Sequence, residues 1–129
     1  MPHLSLSLLG SFRVSLDGQP VTDFKSSKAR ALLAYLAVEA DHAPPRQALA
    51  GLLWPDWPDP DALANLRSTL SSLRTTIGDR EAEPPFLLIT HETLQFNKHT
   101  DHSLDVAQLD AAAALAATGD DAESDAAAV

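Results

Sequence analysis

Five apolar side chains, Leu63, Leu66, Leu70, Leu73 and Ile77, recur at steps of three and four between Asp59-Pro60 and Gly78. That spacing lays a narrow apolar stripe down one side of a helix. Asp59 suits the N-cap with Pro60 at the first helical position, and Gly78 suits the residue that closes the helix. The stripe must be buried against other elements, so its flanks decide the fold. Before it, Pro55-Asp56-Trp57-Pro58-Asp59 is too rich in proline for regular structure and predicts a loop. Beyond Pro84-Pro85 come two β-type runs, Phe86 to Thr90 and Thr93 to Asn97, joined by His91-Glu92 as a hairpin.

Upstream the period is two. Leu4, Leu6 and Leu8 alternate with Ser5 and Ser7, and Phe12, Val14 and Leu16 resume the alternation, as half-buried strands require. Asp17-Gly18 is a turn signal, and Val21 with its neighbours can make a third short strand. At Ser26-Ser27 the period lengthens. Ala29, Leu32, Leu33, Leu36 and Ala40 predict a helix capped by a serine and ended by Asp41 to Pro45. Pro45 opens a second helix carrying Leu49, Leu52 and Leu53 on one side, and Trp54-Pro55 stops it. Leu104, Val106, Leu109 and Leu115, among many alanines, predict one more helix, while residues 118–129 are small and acidic with no core of their own. The order sheet, helix, helix, loop, amphipathic helix, hairpin predicts an α+β fold. It is a winged helix-turn-helix over residues 1–100, with an N-terminal antiparallel sheet, three helices and a C-terminal hairpin wing. In such a domain the third helix, residues 60–77, enters the major groove of DNA and the hairpin, residues 86–97, reaches the neighbouring backbone.

Charge is the obstacle to that function. The chain has nine Lys and Arg against 18 Asp and Glu, a formal net charge of −9, whereas phosphate binding wants excess cations. Seven of the acids (Asp101, Asp105, Asp110, Asp120, Asp121, Glu123, Asp125) fall in residues 101–129, which hold no Lys or Arg. Residues 1–100 therefore carry 9 − 11 = −2. Any DNA contact must rest on local placement of a few cations.

The outer face of the third helix permits that placement. At 100° per residue, Ala64, Ser68, Ser71 and Thr75 lie opposite the stripe, Asn65 and Ser72 lie beside them, and Arg67 and Arg74 occupy one flank. The face is small and polar and holds no acid after Asp61. Asn can bond adenine, Ser and Thr can reach bases or phosphates, and Arg suits guanine or phosphate. The competing reading is a solvated helix face, or a winged-helix protein-interaction module that does not read DNA. A neutral-to-positive surface around Arg67 and Arg74 favours DNA; a uniformly negative one favours a protein partner.

Catalysis finds no support. There is no cysteine, which removes disulfides and thiolate zinc sites and fits a reducing cytosol. His91, His99 and His102 with Asp101 and Asp105 match no ligand spacing, and the run Asp120 to Asp125 lacks the glycine and terminal glutamate of a calcium loop. No Gly-rich phosphate loop or nucleophile-base set is present, so neither an enzyme nor a cofactor is expected. The apolar residues after Met1-Pro2-His3 alternate with serines, which supports neither a signal peptide nor a membrane span.

Four segments in order, LSLLGSFRVSLDGQPV, KARALLAYLAVEA, LAGLLWPDWPDPDALANLRSTLSSLRTTIGD and LDVAQLDAAAALA, resemble the N-terminal part of SARP-type bacterial transcriptional activators. These couple an OmpR-like winged helix to a bacterial transcriptional activator domain. The resemblance runs from Leu4 to about Ala117 and rests on order and spacing, not on one motif. It implies base or phosphate contacts from Asn65, Arg67, Ser68, Ser71, Ser72, Arg74 and Thr75, with Thr90, His91 and Thr93 at the wing tip. Trp54 stands where such winged helices often set a tryptophan against a phosphate; the alternative is a core or loop anchor. Many relatives carry further arginines at Ser71 and Ser72, so this departure implies weaker binding per domain. The family also implies double-stranded DNA with direct repeats near promoters, side-by-side copies on it, and contact with RNA polymerase through loop 55–59. Residues 101–129 are then the linker and truncated start of a helical, tetratricopeptide-like activator domain, in a cytoplasmic, nucleoid-associated bacterial protein.

Overall fold

The computed structural model describes residues 2–8 and 12–104. Its elements run β1 (Leu4–Ser7), β2 (Arg13–Leu16), β3 (Gln19–Pro20), α1 (Ser27–Val38), α2 (Arg46–Leu53), α3 (Asp59–Thr76), a 3-10 turn (Asp79–Glu81), β4 (Leu87–Ile89), β5 (Leu94–Phe96) and β6 (His102–Leu104). β1 pairs antiparallel with β2, in register Leu6 to Val14, and β2 pairs with β3. The β2–β3 turn places Asp17 at φ 53° and Gly18 at φ 82°, two consecutive left-handed residues whose twist suits a tight hairpin.

β6 departs from the sequence reading. Leu104, assigned above to a further helix, ends a strand that lies parallel to β1 in register Leu6 to Leu104, so the sheet is four-stranded with order β3-β2-β1-β6. The physical reason lies in β1, whose free edge leaves backbone groups that another strand can satisfy. Leu4 donates its amide to the Asp101 carbonyl at 3.2 Å. His3 adds side-chain contacts to Asp101 and Ser103 at 2.8 and 3.3 Å. The helix predicted from Val106, Leu109 and Leu115, and the tail 118–129, lie outside the described residues.

α1 begins where expected. Ser26 is the N-cap, and its Oγ accepts the Ala29 amide at 3.2 Å. At α3 the assignment shifts by one residue: Pro58 is the cap, Asp59 is the first helical residue, and no side chain caps the helix. Proline at φ −58° and ψ 149° already holds the extended conformation a cap needs. Asp59 and Asp61 then serve as first-turn acids facing the positive end of the helix dipole. Pro45 likewise caps α2 without entering it. Gly78, at φ 67°, follows the last turn of α3 in the left-handed conformation.

One main apolar core joins the sheet, the three helices and the hairpin. Leu4 and Leu6 of the sheet, Leu32, Leu33 and Leu36 of α1, Leu49 and Leu53 of α2, and Leu66, Leu70, Leu73 and Ile77 meet Phe86, Leu94 and Phe96 of the hairpin. Two stripe assignments change. Ala62 is buried while Leu63 is only partly so, and Leu52 on α2 is 44% exposed. Leu63 packs against the margin of the core.

At the wing's base, the end of α1 is tied to the strand after it. Gln95 Nε2 donates to the Ala40 carbonyl at 2.8 Å, and Lys98 Nζ pairs with Asp41. Hydrogen bonding and charge from Lys98 hold the Asp41 carboxyl below its usual value of 3.8. A depressed carboxylate stabilises the fold above its unfolded pKa and loses that contribution as pH falls through the folded one. Both side chains are exposed, so the effect is small. Lys98→Ala should lower the melting temperature slightly at neutral pH and not at all in acid below the depressed pKa; a difference that grows in acid would contradict this.

Candidate nucleic-acid interface

α3 is held against the body by its apolar stripe, which leaves the opposite face outward. On it Ala64, Arg67, Ser68, Ser71 and Thr75 are exposed and Asn65, Ser72 and Arg74 are half-buried. Most of the predicted helix positions therefore share one surface. Among the described residues, no hydrogen bond or ion pair engages the side chains of Asn65, Arg67 or Ser68. These are donors with spare capacity on a helix face, which is what groove reading needs.

Three predicted positions, Arg74, Thr75 and Ser71, have side chains engaged in hydrogen bonds within the fold. Arg74 Nε donates to Asp79 Oδ2 at 3.0 Å, and the Asp79 side chain is 0% exposed against 31% for Arg74. Asp79 Oδ1 accepts the Leu87 amide at 3.0 Å. The pair thus locks the end of α3 to the first wing strand. Thr75 Oγ1 donates to the Ser71 carbonyl at 3.2 Å and accepts from Arg80. The Ser72 hydroxyl oxygen is buried and finds no hydrogen-bond partner.

The wing tip is built in the same way. Thr90 Oγ1 accepts the Thr93 amide at 2.8 Å and the Glu92 amide at 3.2 Å, and lies 2.7 Å from Thr93 Oγ1. The threonines shape the turn, and His91 is left exposed at its apex. Arg46, the first residue of α2, steadies this turn: its Nε and Nη2 donate to the Thr90 carbonyl at 3.2 and 2.9 Å. Pro45 bridges to Thr93, and the Leu94 amide donates to the Pro44 carbonyl at 3.2 Å. Residues 44–46 therefore brace one edge of the wing through a single β-bridge and two backbone hydrogen bonds. Proline masks that role in sequence.

Beside α3 runs a groove of about 520 Å³ between the start of α1, the α2–α3 loop and the helix. Trp54, Trp57, Asn65 and Ser68 line it together with Lys25 and Lys28. Trp54 is half-buried and packs against the core, which favours the anchor reading of its body while its edge faces the groove. Trp57 is 44% exposed. A second groove is lined by Lys25, Arg67, Ser68 and Ser71 with Asp23 at its margin. Lys25, Lys28 and Arg80 are cations of this surface outside the site residues read from the sequence. Lys25 precedes the helix cap by one residue and is brought to α3 only by tertiary packing.

The architecture is that of an OmpR-like winged helix-turn-helix: a sheet at the back, three helices, an outward third helix and a hairpin packed against its end. No protein-family model matches the chain. It is 34% identical over 86 residues to the transcriptional regulatory protein EmbR of Mycobacterium tuberculosis and, equally, of Mycobacterium bovis. That alignment covers 67% of this chain and 22% of the relative, so the chain spans under a quarter of the curated relatives' length. The solved structure of Mycobacterium tuberculosis EmbR in complex with a low-affinity phosphopeptide superposes with a TM-score of 0.62 at 30% identity, over 74% of this chain and 25% of that one. The chain is thus similar in sequence and fold to the winged-helix N-terminal domain of EmbR, a SARP-family transcriptional regulator.

Proposed function

We propose that this domain binds double-stranded DNA as the reading head of a bacterial transcription regulator, with α3 in the major groove and the β4–β5 hairpin beside it. The observation that carries the reading is the free outer face of α3. Among the described residues, nothing pairs with the side chains of Asn65, Arg67 and Ser68, which stand beside Lys25 in a chain whose net charge is −9. The acids Asp59 and Asp61 are confined to the first turn, so the section from Ala64 to Thr75 is the part that enters the groove. Asn65, Arg67 and Ser68 are the base-facing candidates, while the Ser71 hydroxyl accepts from Arg80. Trp54 and His91 are candidates for phosphate contact from the loop and the wing. Arg74 and the wing threonines act mainly through the fold. A reading head needs no bond-making chemistry, and its place is on the nucleoid in the cytoplasm.

Fluorescence anisotropy of the chain with duplex DNA across a salt series tests this. Each phosphate neutralised contributes a slope of about −0.9 in log affinity against log salt, so a handful of contacts gives a steep dependence. Tighter binding to promoter fragments with direct repeats than to single sites would fit adjacent copies on DNA. No binding at low salt, on single or repeated sites, would leave the protein-interaction module as the better account.

The α2–α3 loop favours a second partner. Trp57 projects from Pro55–Asp59 at 44% exposure, an aromatic in a polar loop, and loop aromatics commonly serve as interaction anchors. RNA polymerase is the proposed partner. Trp57→Ala and Asp59→Ala should lower transcription from a responsive promoter while DNA affinity holds; parallel loss of both would sink the assignment.

A further inference from the structure

Arg80 lies outside α3 in sequence but on it in space. It sits in the 3-10 turn after Gly78, and its guanidinium folds back over the outer face of the helix. Nη1 donates to Thr75 Oγ1 at 2.8 Å and to the Ser71 carbonyl at 3.4 Å, and Nη2 donates to Ser71 Oγ at 3.2 Å. All three acceptors are neutral. Arg80 is exposed, and among the described residues no carboxylate pairs with it, in contrast to Arg74 and its buried partner Asp79.

An arginine has five N–H donors. All three bonds run through the two terminal nitrogens, two from Nη1 and one from Nη2, which leaves Nε–H and the second Nη2–H. Those two point the same way along the side-on edge, the fork that grips two oxygens of a phosphate in parallel. The charge is also uncompensated and immobilised, so little rotamer entropy remains to be lost on binding.

Its position selects the backbone over the bases. From Ala64 to Thr75 the helix runs about 16 Å at 1.5 Å per residue, against a major groove ~12 Å wide. With the middle of that section over the base edges, its C-terminal end passes over the sugar-phosphate rim. We propose that Arg80 is a phosphate clamp of the DNA interface, seated on Ser71 and Thr75. It fills, from the following turn, the place that a helix arginine at position 71 would occupy. The small residues at 71 and 75 are then a seat for a guanidinium and not a gap in the interface.

This inference rests on the DNA-binding reading, and one set of titrations separates the two. The full chain is titrated against a labelled mixed-sequence duplex across a salt series, since a phosphate contact is indifferent to sequence. Arg80→Ala should weaken binding about tenfold and reduce the salt slope by about one, with its melting temperature reported alongside. The seat is tested by Ser71→Ala with Thr75→Val. Alone the pair should weaken binding; combined with Arg80→Ala it should add almost nothing, because the hydroxyls act through the arginine. Wild-type binding that Arg80→Ala leaves unchanged in affinity and slope overturns the clamp and spares the DNA reading. Additive losses overturn the seat. Absence of wild-type binding at low salt overturns the DNA reading and the clamp with it.

Discussion

Asp79→Ala should cost about 3 kcal/mol of stability and lower the melting temperature by roughly 10 °C or more. The Asp79 side chain is fully buried and performs two tasks at once. It receives the Arg74 guanidinium at 3.0 Å, and it receives the Leu87 amide at 3.0 Å. Truncation strands both, a buried amide without an acceptor and a cation without its counter-charge. Because Arg74 is about a third exposed, water relieves part of its loss, which keeps the figure at the lower end for a broken buried pair. Asp79→Asn isolates the terms. It keeps an oxygen for Leu87 and removes only the charge, so it should lose less than Asp79→Ala in a denaturant or thermal melt. Equal melting of Asp79→Ala and wild type would show that the junction between α3 and the wing does not depend on this carboxylate. The same logic reassigns Arg74→Ala. A fall in DNA affinity for that variant must be read against its melting curve, since the side chain holds the wing that stands beside the DNA.

The path from residues to fold was legible wherever a local rule matched the global one. The α3 stripe, the Ser26 cap, the Asp17-Gly18 turn and Gly78 each announce themselves within a few residues, because period, capping and positive φ are local properties. Non-local pairing was not legible. β6 is three residues long, and only the empty edge of β1, almost a hundred residues earlier, makes His102–Leu104 a strand. Next to alanine-rich sequence, Leu104 carries the signature of a helix. Residues 44–46 are hidden for the same reason. Two prolines and an arginine carry no strand signal, and they bridge to the wing only because Thr93 and Leu94 lie against them.

At the site, helix geometry placed Asn65, Arg67, Ser68, Ser71 and Thr75 on one surface, since a 100° turn fixes relative direction. It could not say which polar groups were already occupied. Arg67 and Arg74 are seven residues apart and nearly superposed in projection, so sequence treats them alike. Only the chain beyond the helix separates them: Asp79 comes round beneath Arg74, while nothing described reaches Arg67. Arg80 was invisible for the converse reason, since it follows the left-handed Gly78 and its direction depends on that one dihedral pair.

Arg67→Ala follows as the largest functional effect. Exposed and without a partner among the described residues, Arg67 contributes to stability within about ±0.5 kcal/mol, the range for surface positions free of special features. Its loss should nevertheless weaken DNA binding by about 1–3 kcal/mol, roughly 5- to 150-fold, if it grips a base or phosphate bidentately. The contrast with Asp79→Ala is the useful part: one variant should melt early, the other should melt as wild type and fail to bind. The discrimination can be carried a step further by comparing a promoter fragment with a mixed-sequence duplex. A phosphate contact costs both equally, and a base contact costs the promoter more. An Arg67→Ala chain that binds both duplexes as wild type does would move the interface off the centre of α3. It would then have to be rebuilt around Lys25, which lines the groove beside α3, or the partner sought among proteins.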